Sequence, residues 1–484
     1  MINNMIIRKL LFFLPKKIMV WLIKNNFTFI MALFYKVFII KERKSKHKSP
    51  IRNSDKITIL ALTENKFRGD LECLAQVDNF KVLAFAYMWG SLLIYAFTNM
   101  KMYTIKYLSA EAGSDMYMLR NKINIFFSGF ISALLKLIKI DCVITMNYRK
   151  FVDLPWVIHF EKSGIPHICL FREGMVIIDR YYDALTSLSR RHKEVGYPVT
   201  HVIVPNQSCK NSFIDSGFVN EGQVSVCGTL RIDMLLKRIN SGNRDLVVNN
   251  INRRKRVILF YFPGNMYVFG KEKLSRNDIL SDNAHKYTYA KNIWPKHIDL
   301  FTDLHMSFIQ LAIKFPEVDF VIKPTREFMS NPGSWDGYVK FVNESGIDLS
   351  KLKNYTVEPD ADVHDLIINS DVVIALQSTT VVESAITGMP VIFPLFYKFK
   401  EAEQFNDFLF KDHLDLFDVA ESADELKSLV IDRLQNPEIN ENIMGGRREL
   451  FKKCFSDIEG VALKKYVETI KNVVNSAKSR NYNS

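Results

Sequence analysis

The chain has few cysteines and none in a telling arrangement. Cys73, Cys142, Cys169, Cys209, Cys227 and Cys454 are scattered through 484 residues, with no CxxC pair and no histidine at zinc-binding spacing. That excludes a disulfide framework and a structural zinc site, and fits reduced, buried thiols in a cytosolic protein. HExxH, GxSxG and Walker A motifs are missing, as is any clustered set of acidic metal ligands, so metalloprotease, serine-hydrolase and P-loop chemistries have no support and no metal site is expected. GxGxxG is missing too, which removes the dinucleotide-binding fingerprint. No repeat of fixed period occurs, and 48% hydrophobic, 12% aromatic and 24% charged residues leave no room for a collagen-like, mucin-like or disordered reading. A chain of this length exceeds one ordinary core, so two domains are expected.

Acidic residues are almost absent from residues 1–48, where eleven Lys and Arg face Glu42 alone, so this segment holds +10 of the formal net charge of +13. The rest of the chain is close to neutral, which argues against a nucleic-acid-binding body. The segment also lacks an apolar stretch long enough to span a bilayer: its longest charge-free run, Asn25 to Tyr35, is 11 residues, against the ~20 required. Lys16, Lys17, Lys24 and Lys36 would fall at membrane depth, and no small-residue cleavage site follows an apolar core. Two readings remain for residues 1–50. One is an amphipathic element lying in the interface of an anionic membrane; the other is a basic helix pair packed on the protein's own core.

Beyond Lys48 the pattern becomes short apolar runs separated by helical stretches. Strands are expected at 56–62, 80–87, 141–146, 166–171, 200–205 and 223–228, and again at 256–264, 318–324, 354–359, 371–376 and 390–394. Their apolar residues are continuous instead of alternating, which points to parallel strands covered on both faces. The polar stretch "RINSGNRDLVVNNINRRKR" (238–256) is the linker candidate. The expected organisation is an N-terminal α/β domain at 51–240, a C-terminal one at 256–450 and a terminal helix at 451–484. Both domains would be doubly wound and Rossmann-like, facing each other across a cleft.

Ligands of such sheets sit beyond the carboxyl ends of strands. The richest of those loops is "IALQSTTVVESAITGMPVIFP" (374–394), where Gln377, Ser378, Thr379 and Thr380 fill a strand-to-helix turn and Gly388 stops the helix. Backbone N–H groups at the helix start, with added hydroxyl donors, suit a phosphate. The competing reading is structural, because Thr380 and Glu383 have the spacing of a capping box; Glu383 is alternatively within reach of a ribose hydroxyl. "FVIKPTRE" places Lys323 and Arg326 at another strand end, and Asn265 stands in a Pro-Gly-Asn turn after "ILFYF". In the first half, "CLFREGM" supplies Arg172 and Glu173, and "VCGTLRIDMLL" supplies Arg231 and Asp233. Carboxylates there are candidate general bases or nucleophiles, or else helix N-terminal acids paired with the neighbouring arginines. His364, in "DADVHDLI", is expected at the surface.

"SDVVIALQSTTVVESAITGMPVIFP" resembles the C-terminal signature of GT-B-fold glycosyltransferases and related transferases of bacterial surface polysaccharides. "VSVCGTLRIDMLL" resembles the G-x-x-R-x-D element of CDP-glycerol and surface-carbohydrate transferases, and "DFVIKPTRE" their strand end in Lys-Pro. These motifs span roughly residues 200–400. The resemblance implies a nucleotide-sugar donor held by the C-terminal domain around Lys323, Ser378, Thr379, Thr380 and Glu383, no cofactor and no required metal. Kdo transferases, which use CMP-Kdo, are among these families; a retaining branch uses an N-terminal-domain Asp as nucleophile, a role that falls on Asp233 here, with Glu173 as acid/base or orienting carboxylate. Many relatives have His after Lys-Pro where this chain has Thr325, a departure that weakens the alternative of a CDP-glycerol or CDP-ribitol polyol-phosphate transferase. The expected partners are a nucleotide-sugar donor, a lipid-linked glycan acceptor of the capsule, O-antigen or lipopolysaccharide kind, and the inner face of the cytoplasmic membrane. A non-catalytic transferase-like scaffold subunit is the reading from another class.

Overall fold

A computed structural model describes residues 19–43, 55–62, 67, 69–85, 89–98, 104–172, 175–242, 253–260, 288–324, 338–339 and 342–482. The chain divides into two compact units, Met1–Met234 with Phe455–Ser484, and Leu235–Cys454. The C-terminal stretch, expected as a separate terminal helix, belongs to the first unit, because Tyr466, Ile470, Val473 and Val474 bury their side chains in that unit's core.

The first unit is built on seven strands: β1 (Ile40–Glu42), β2 (Ile57–Ala61), β3 (Phe80–Phe85), β4 (Cys142–Thr145), β5 (His167–Leu170), β6 (His201–Val204) and β7 (Val224–Val226). Their order is β1-β3-β2-β4-β5-β6-β7; β1 runs antiparallel to β3 and all other pairs are parallel. The continuous apolar runs have the expected cause. Along β2, Ile59 and Ala61 enter one core while Leu60 enters the other, and β3 and β4 divide their residues in the same way. Both faces are covered, so neither row of side chains can be polar. On one face the cover includes the helices Asp115–Leu137 and Leu154–Lys162; on the other it includes Asp70–Ala75 and Ala462–Tyr482.

β1 was not legible in the sequence. It follows the helix Thr28–Phe34 and a wide turn at Tyr35–Ile39, and fixes the N-terminal segment to the sheet through Ile40 opposite Phe85. Tyr35 is fully buried, with ring centroids 5.2 Å from Phe130, 5.5 Å from Trp156 and 5.7 Å from Phe85. Gly129 permits the close approach of this helix, since a Cβ there would lie 3.2 Å from Thr28 Cγ2. One face of the segment therefore packs on the protein's own core. The other does not: Trp21, Phe29, Ile30, Leu33, Val37 and Phe38 are exposed, Phe38 at 60%, with Lys24 and Lys36 beside them in the chain. Among the described residues no helix is long and apolar enough to cross a membrane.

The second unit has six parallel strands, β8 (Arg256–Leu259), β9 (Asp319–Ile322), β10 (Tyr355–Val357), β11 (Val372–Ile374), β12 (Val391–Pro394) and β13 (Asp418–Ala420), in the order β10-β9-β8-β11-β12-β13. This is a doubly wound sheet in which the winding reverses between β8 and β11, the topological switch point. Two doubly wound parallel-sheet units are what a GT-B fold requires.

Candidate functional site

β11 ends at Ile374, and the buried Ala375 and Leu376 carry the chain to a turn at Gln377 and Ser378 before the helix Thr379–Ala385. The hydroxyl-rich turn therefore lies beyond the carboxyl end of a switch-point strand, the position where open α/β sheets bind ligands. Ser378 is the N-cap, in extended conformation (φ −149°, ψ 152°), and its Oγ accepts the Thr380 N–H at 3.2 Å and the Thr380 hydroxyl at 2.9 Å. Gln377 donates from Nε2 to the Asp407 carbonyl at 3.1 Å, which ties the turn to the loop after β12. Thr380 is buried, whereas Gln377, Ser378 and Thr379 are half-buried at the strand ends.

The capping arrangement differs from the expected one. With Ser378 as N-cap, the third helical position is Val381, so Thr380 and Glu383 do not form the capping box. Glu383 falls one turn further in, on the buried face, where its Oε2 lies 3.1 Å from His364 Nε2. His364, expected at the surface, is itself buried; it sits on the helix Val363–Ile368, whose start is capped by Asp362 accepting the N–H groups of His364 and Asp365. Burial of Glu383 requires a partner, because a lone carboxylate in an apolar interior is costly to keep, and His364 supplies one.

Lys323 follows β9, on the far side of β8 from the hydroxyl turn. Its ammonium donates to the carbonyls of Pro359 at 2.8 Å and Pro324 at 3.1 Å, so it also links the ends of β9 and β10. Arg326, Asn265 and Glu173 lie outside the described residues.

In the first unit, Arg172 and Arg231 converge on a residue that the sequence did not single out. Asp70, at the start of the helix Asp70–Ala75, is 2% exposed and meets Arg172 Nη1 at 2.7 Å through Oδ2. The same guanidinium donates to the Phe67 carbonyl. Burial raises the Asp70 carboxyl to about 6, outweighing the attraction of Arg172 and Arg231. In the sequence, an acid opening a short helix after a Gly reads as ordinary dipole compensation; the pairing with a residue 102 positions away, at the end of another strand, leaves no local trace.

Asp233 is occupied differently from the expectation. It is 3% exposed, and its two carboxylate oxygens accept the backbone N–H groups of Leu463 at 2.7 Å and Ala462 at 3.1 Å. It thereby caps the N-terminus of the helix Ala462–Tyr482, where a negative charge also opposes the helix dipole. Tyr466 in that helix's first turns donates to the Gly228 carbonyl at 3.3 Å. The G-x-x-R-x-D element thus anchors the terminal helix through both its Gly and its Asp. Among the described residues no group of His, Cys, Asp and Glu is arranged to hold a metal ion.

No family model matches the chain, and neither does any curated protein sequence. Several solved structures are similar in fold. The UDP-N-acetylglucosamine 2-epimerase of Neisseria meningitidis, bound to UDP-N-acetylglucosamine, is 14% identical, with 86% of this chain and 99% of that one covered and a TM-score of 0.44. A variant of the wall teichoic acid polymerase TagF is 12% identical over 96% of this chain and 99% of its own, with a TM-score of 0.46. A UDP-forming α,α-trehalose-phosphate synthase from Burkholderia xenovorans is 9% identical over 88% and 99%, with a TM-score of 0.44. These three proteins have three different activities, and the likeness at this level assigns none of them to this chain.

Proposed function

We propose that the chain is a metal-independent glycosyltransferase that takes a sugar from a nucleotide donor, with a CMP-activated acidic sugar such as Kdo foremost, and adds it to a lipid-linked surface glycan. The observation that carries this reading is the place of Gln377, Ser378 and Thr379 beyond the carboxyl end of β11, at the switch point of the second unit. In the reaction an acceptor oxygen attacks the anomeric carbon, the bond from that carbon to the phosphate oxygen breaks, and the nucleotide leaves with the electron pair. Hydroxyl and backbone donors fixed at the turn stabilise the charge that develops on the phosphate without reorganising as it forms. Lys323 adds a cation at the neighbouring strand ends. Glu173 takes the proton of the acceptor hydroxyl as that oxygen attacks, the acid/base role that the resemblance implies, while Asp233 acts in this reading as the pin of the terminal helix.

The membrane is the proposed location of the acceptor. The exposed apolar face formed by Trp21, Phe29, Ile30, Leu33, Val37 and Phe38, in a segment rich in Lys and Arg, supports peripheral attachment to an anionic inner leaflet. Thermal shift of the full chain with CMP, CDP, UDP and GDP tests the donor class: CMP is expected to stabilise most. Nucleotide release from CMP-Kdo but not CDP-glycerol, in the presence of glycan acceptor, is the expected activity. Release from CDP-glycerol alone would replace this reading by polyol-phosphate transfer.

A further inference from the structure

A cavity of about 580 Å³ opens on the first unit at the amino ends of β6 and β7, the edge of the sheet opposite to that used by doubly wound enzymes. One wall is the start of those strands, with Thr200, His201 and Ser225; the other is the C-terminal helix, with Asn472, Ser476 and Arg480. Those helix positions follow Thr469 at steps of three and four, so they form a single stripe along the helix while Tyr466, Ile470, Val473 and Val474 pack on the sheet. Its size is that of a small-molecule site.

The lining is unusually polar for the margin of an apolar sheet. His201 Nε2 is 2.9 Å from Ser225 Oγ, and Glu161 accepts both the Thr200 hydroxyl and the His167 N–H, the latter at 2.9 Å. His167 in turn reaches Thr145 Oγ1 at 2.8 Å through Nε2. Apolar residues would fill these places at no desolvation cost, so a connected polar layer here is not needed for the fold.

We propose that this cavity binds a short neutral saccharide. Sugar hydroxyls donate and accept at once, and the walls offer both functions in neutral form: hydroxyls of Thr200 and Ser476, the Asn472 amide and an uncharged His201, with Glu161 and Arg480 as one acceptor and one donor of opposite charge. A nucleotide is disfavoured, because among the described residues no Phe, Tyr or Trp lines the cavity for a base to stack on, His201 already engages Ser225, and its phosphates would meet the Glu161 carboxylate with one guanidinium to offset it. An apolar ligand would strand the polar layer. The helix that forms one wall is held at its other end by Asp233, so occupancy of the cavity bears on an element that reaches the carboxyl side of the sheet. The inference is independent of the transferase reading; a chain without transferase activity would still bind the saccharide.

Saturation-transfer NMR on the full chain with maltotriose, triacetylchitotriose, 3′-sialyllactose and CMP tests it. At least one of the two neutral trisaccharides is expected to give signals, more strongly than sialyllactose, and CMP is expected not to displace it. In the double variant Asn472→Leu/Ser476→Leu the signal should fall at least tenfold; both positions are exposed on the helix, and Arg480→Gln in its last turns gives a second, milder perturbation. Absence of signal from both neutral trisaccharides, signals unchanged in all variants, or displacement by CMP would each overturn the proposal.

Discussion

Asp233 holds the backbone N–H of Leu463 at 2.7 Å, so a residue in one helix caps another 230 positions later in the chain. The neighbouring Ala462 N–H is bound by the other carboxylate oxygen. Asp233→Ala would leave two buried donors unsatisfied, at about 1–3 kcal/mol each. Asp233→Asn keeps one acceptor and should cost clearly less. Denaturant unfolding of the full chain gives the difference, and hydrogen exchange should show residues 462–482 opening first in the alanine variant. Wild-type stability in Asp233→Ala would refute the capping role.

The Glu383–His364 pair makes a second claim on stability. Both residues are buried in the second unit, and removing one partner of a buried pair commonly costs about 3–5 kcal/mol. Glu383→Ala and His364→Ala are each expected to destabilise strongly, whereas the double variant should be less destabilised than the sum, since neither polar group is then stranded. Strict additivity in that double-mutant cycle would show that the two do not interact.

Ser378 and Thr379 separate capping from donor contact. Loss of the Ser378 cap should lower stability by about 1 kcal/mol, so Ser378→Ala is expected to reduce both melting temperature and nucleotide affinity. Thr379 is not the cap; Thr379→Ala should weaken CMP-induced stabilisation while leaving the unliganded melting temperature within a degree or so. CMP-induced stabilisation that is unchanged in Thr379→Ala would mean that the hydroxyls serve the fold alone.

Strand positions were readable because burial on both sheet faces forces continuous apolar runs such as Ile57–Ala61 and Val372–Ile374. The edge strands Ile40–Glu42 and Asp418–Ala420 were not, since each buries one side chain and carries charge within its three residues, unlike the equally short but uncharged edge strands Val224–Val226 and Tyr355–Val357. The switch-point turn was legible by its place after a strand. The owner of its cap was not: Ser378, Thr379 and Thr380 can each serve, and the choice depends on where the backbone first turns helical. Asp233 was identifiable as an acid of interest but not as a cap, because Ala462 and Leu463 carry no signal that they lack a local acceptor. Asp70 and the surroundings of His364 depend entirely on long-range packing.

Burial of histidines fixes the direction of the pH dependence. His159, His167 and His201 are pushed down from 6.5 to about 4, chiefly by desolvation. A folded pKa below the unfolded one means that the stability they contribute is fully present above about pH 6.5 and is lost as the pH falls toward 4. Asp70, raised from 3.8 to about 6, works in the opposite sense over that interval, because its folded carboxyl keeps a proton that the unfolded one releases. Burial also lowers His192 and His413 and raises Glu161, so five depressed histidines oppose two raised carboxyls, and net stability should decline below pH 6.5 by a few kcal/mol at about 1.4 kcal/mol per pKa unit. His167→Gln should flatten part of that slope. A stability that is constant between pH 7 and 4.5 would contradict the buried, neutral state of these rings.

The exposed face of the N-terminal helix yields the last prediction. Phe29 and Phe38 point away from a core that already holds Met31, Ala32, Tyr35 and Ile39, so replacing them with serine removes apolar surface without opening a cavity. Immersing the exposed part of each ring in an interface is worth about 1 kcal/mol, and the pair therefore about a tenfold or larger change in partitioning. Wild-type protein should cosediment with vesicles containing phosphatidylglycerol, less with pure phosphatidylcholine, and less again at high salt, which screens the lysines. Phe29→Ser/Phe38→Ser should weaken binding at every salt concentration with an unchanged melting temperature, whereas Lys24→Gln/Lys36→Gln should act at low salt alone. Binding that is insensitive to the phenylalanines but abolished by salt would make the attachment purely electrostatic, and no binding to any vesicle would remove the membrane from the proposed function.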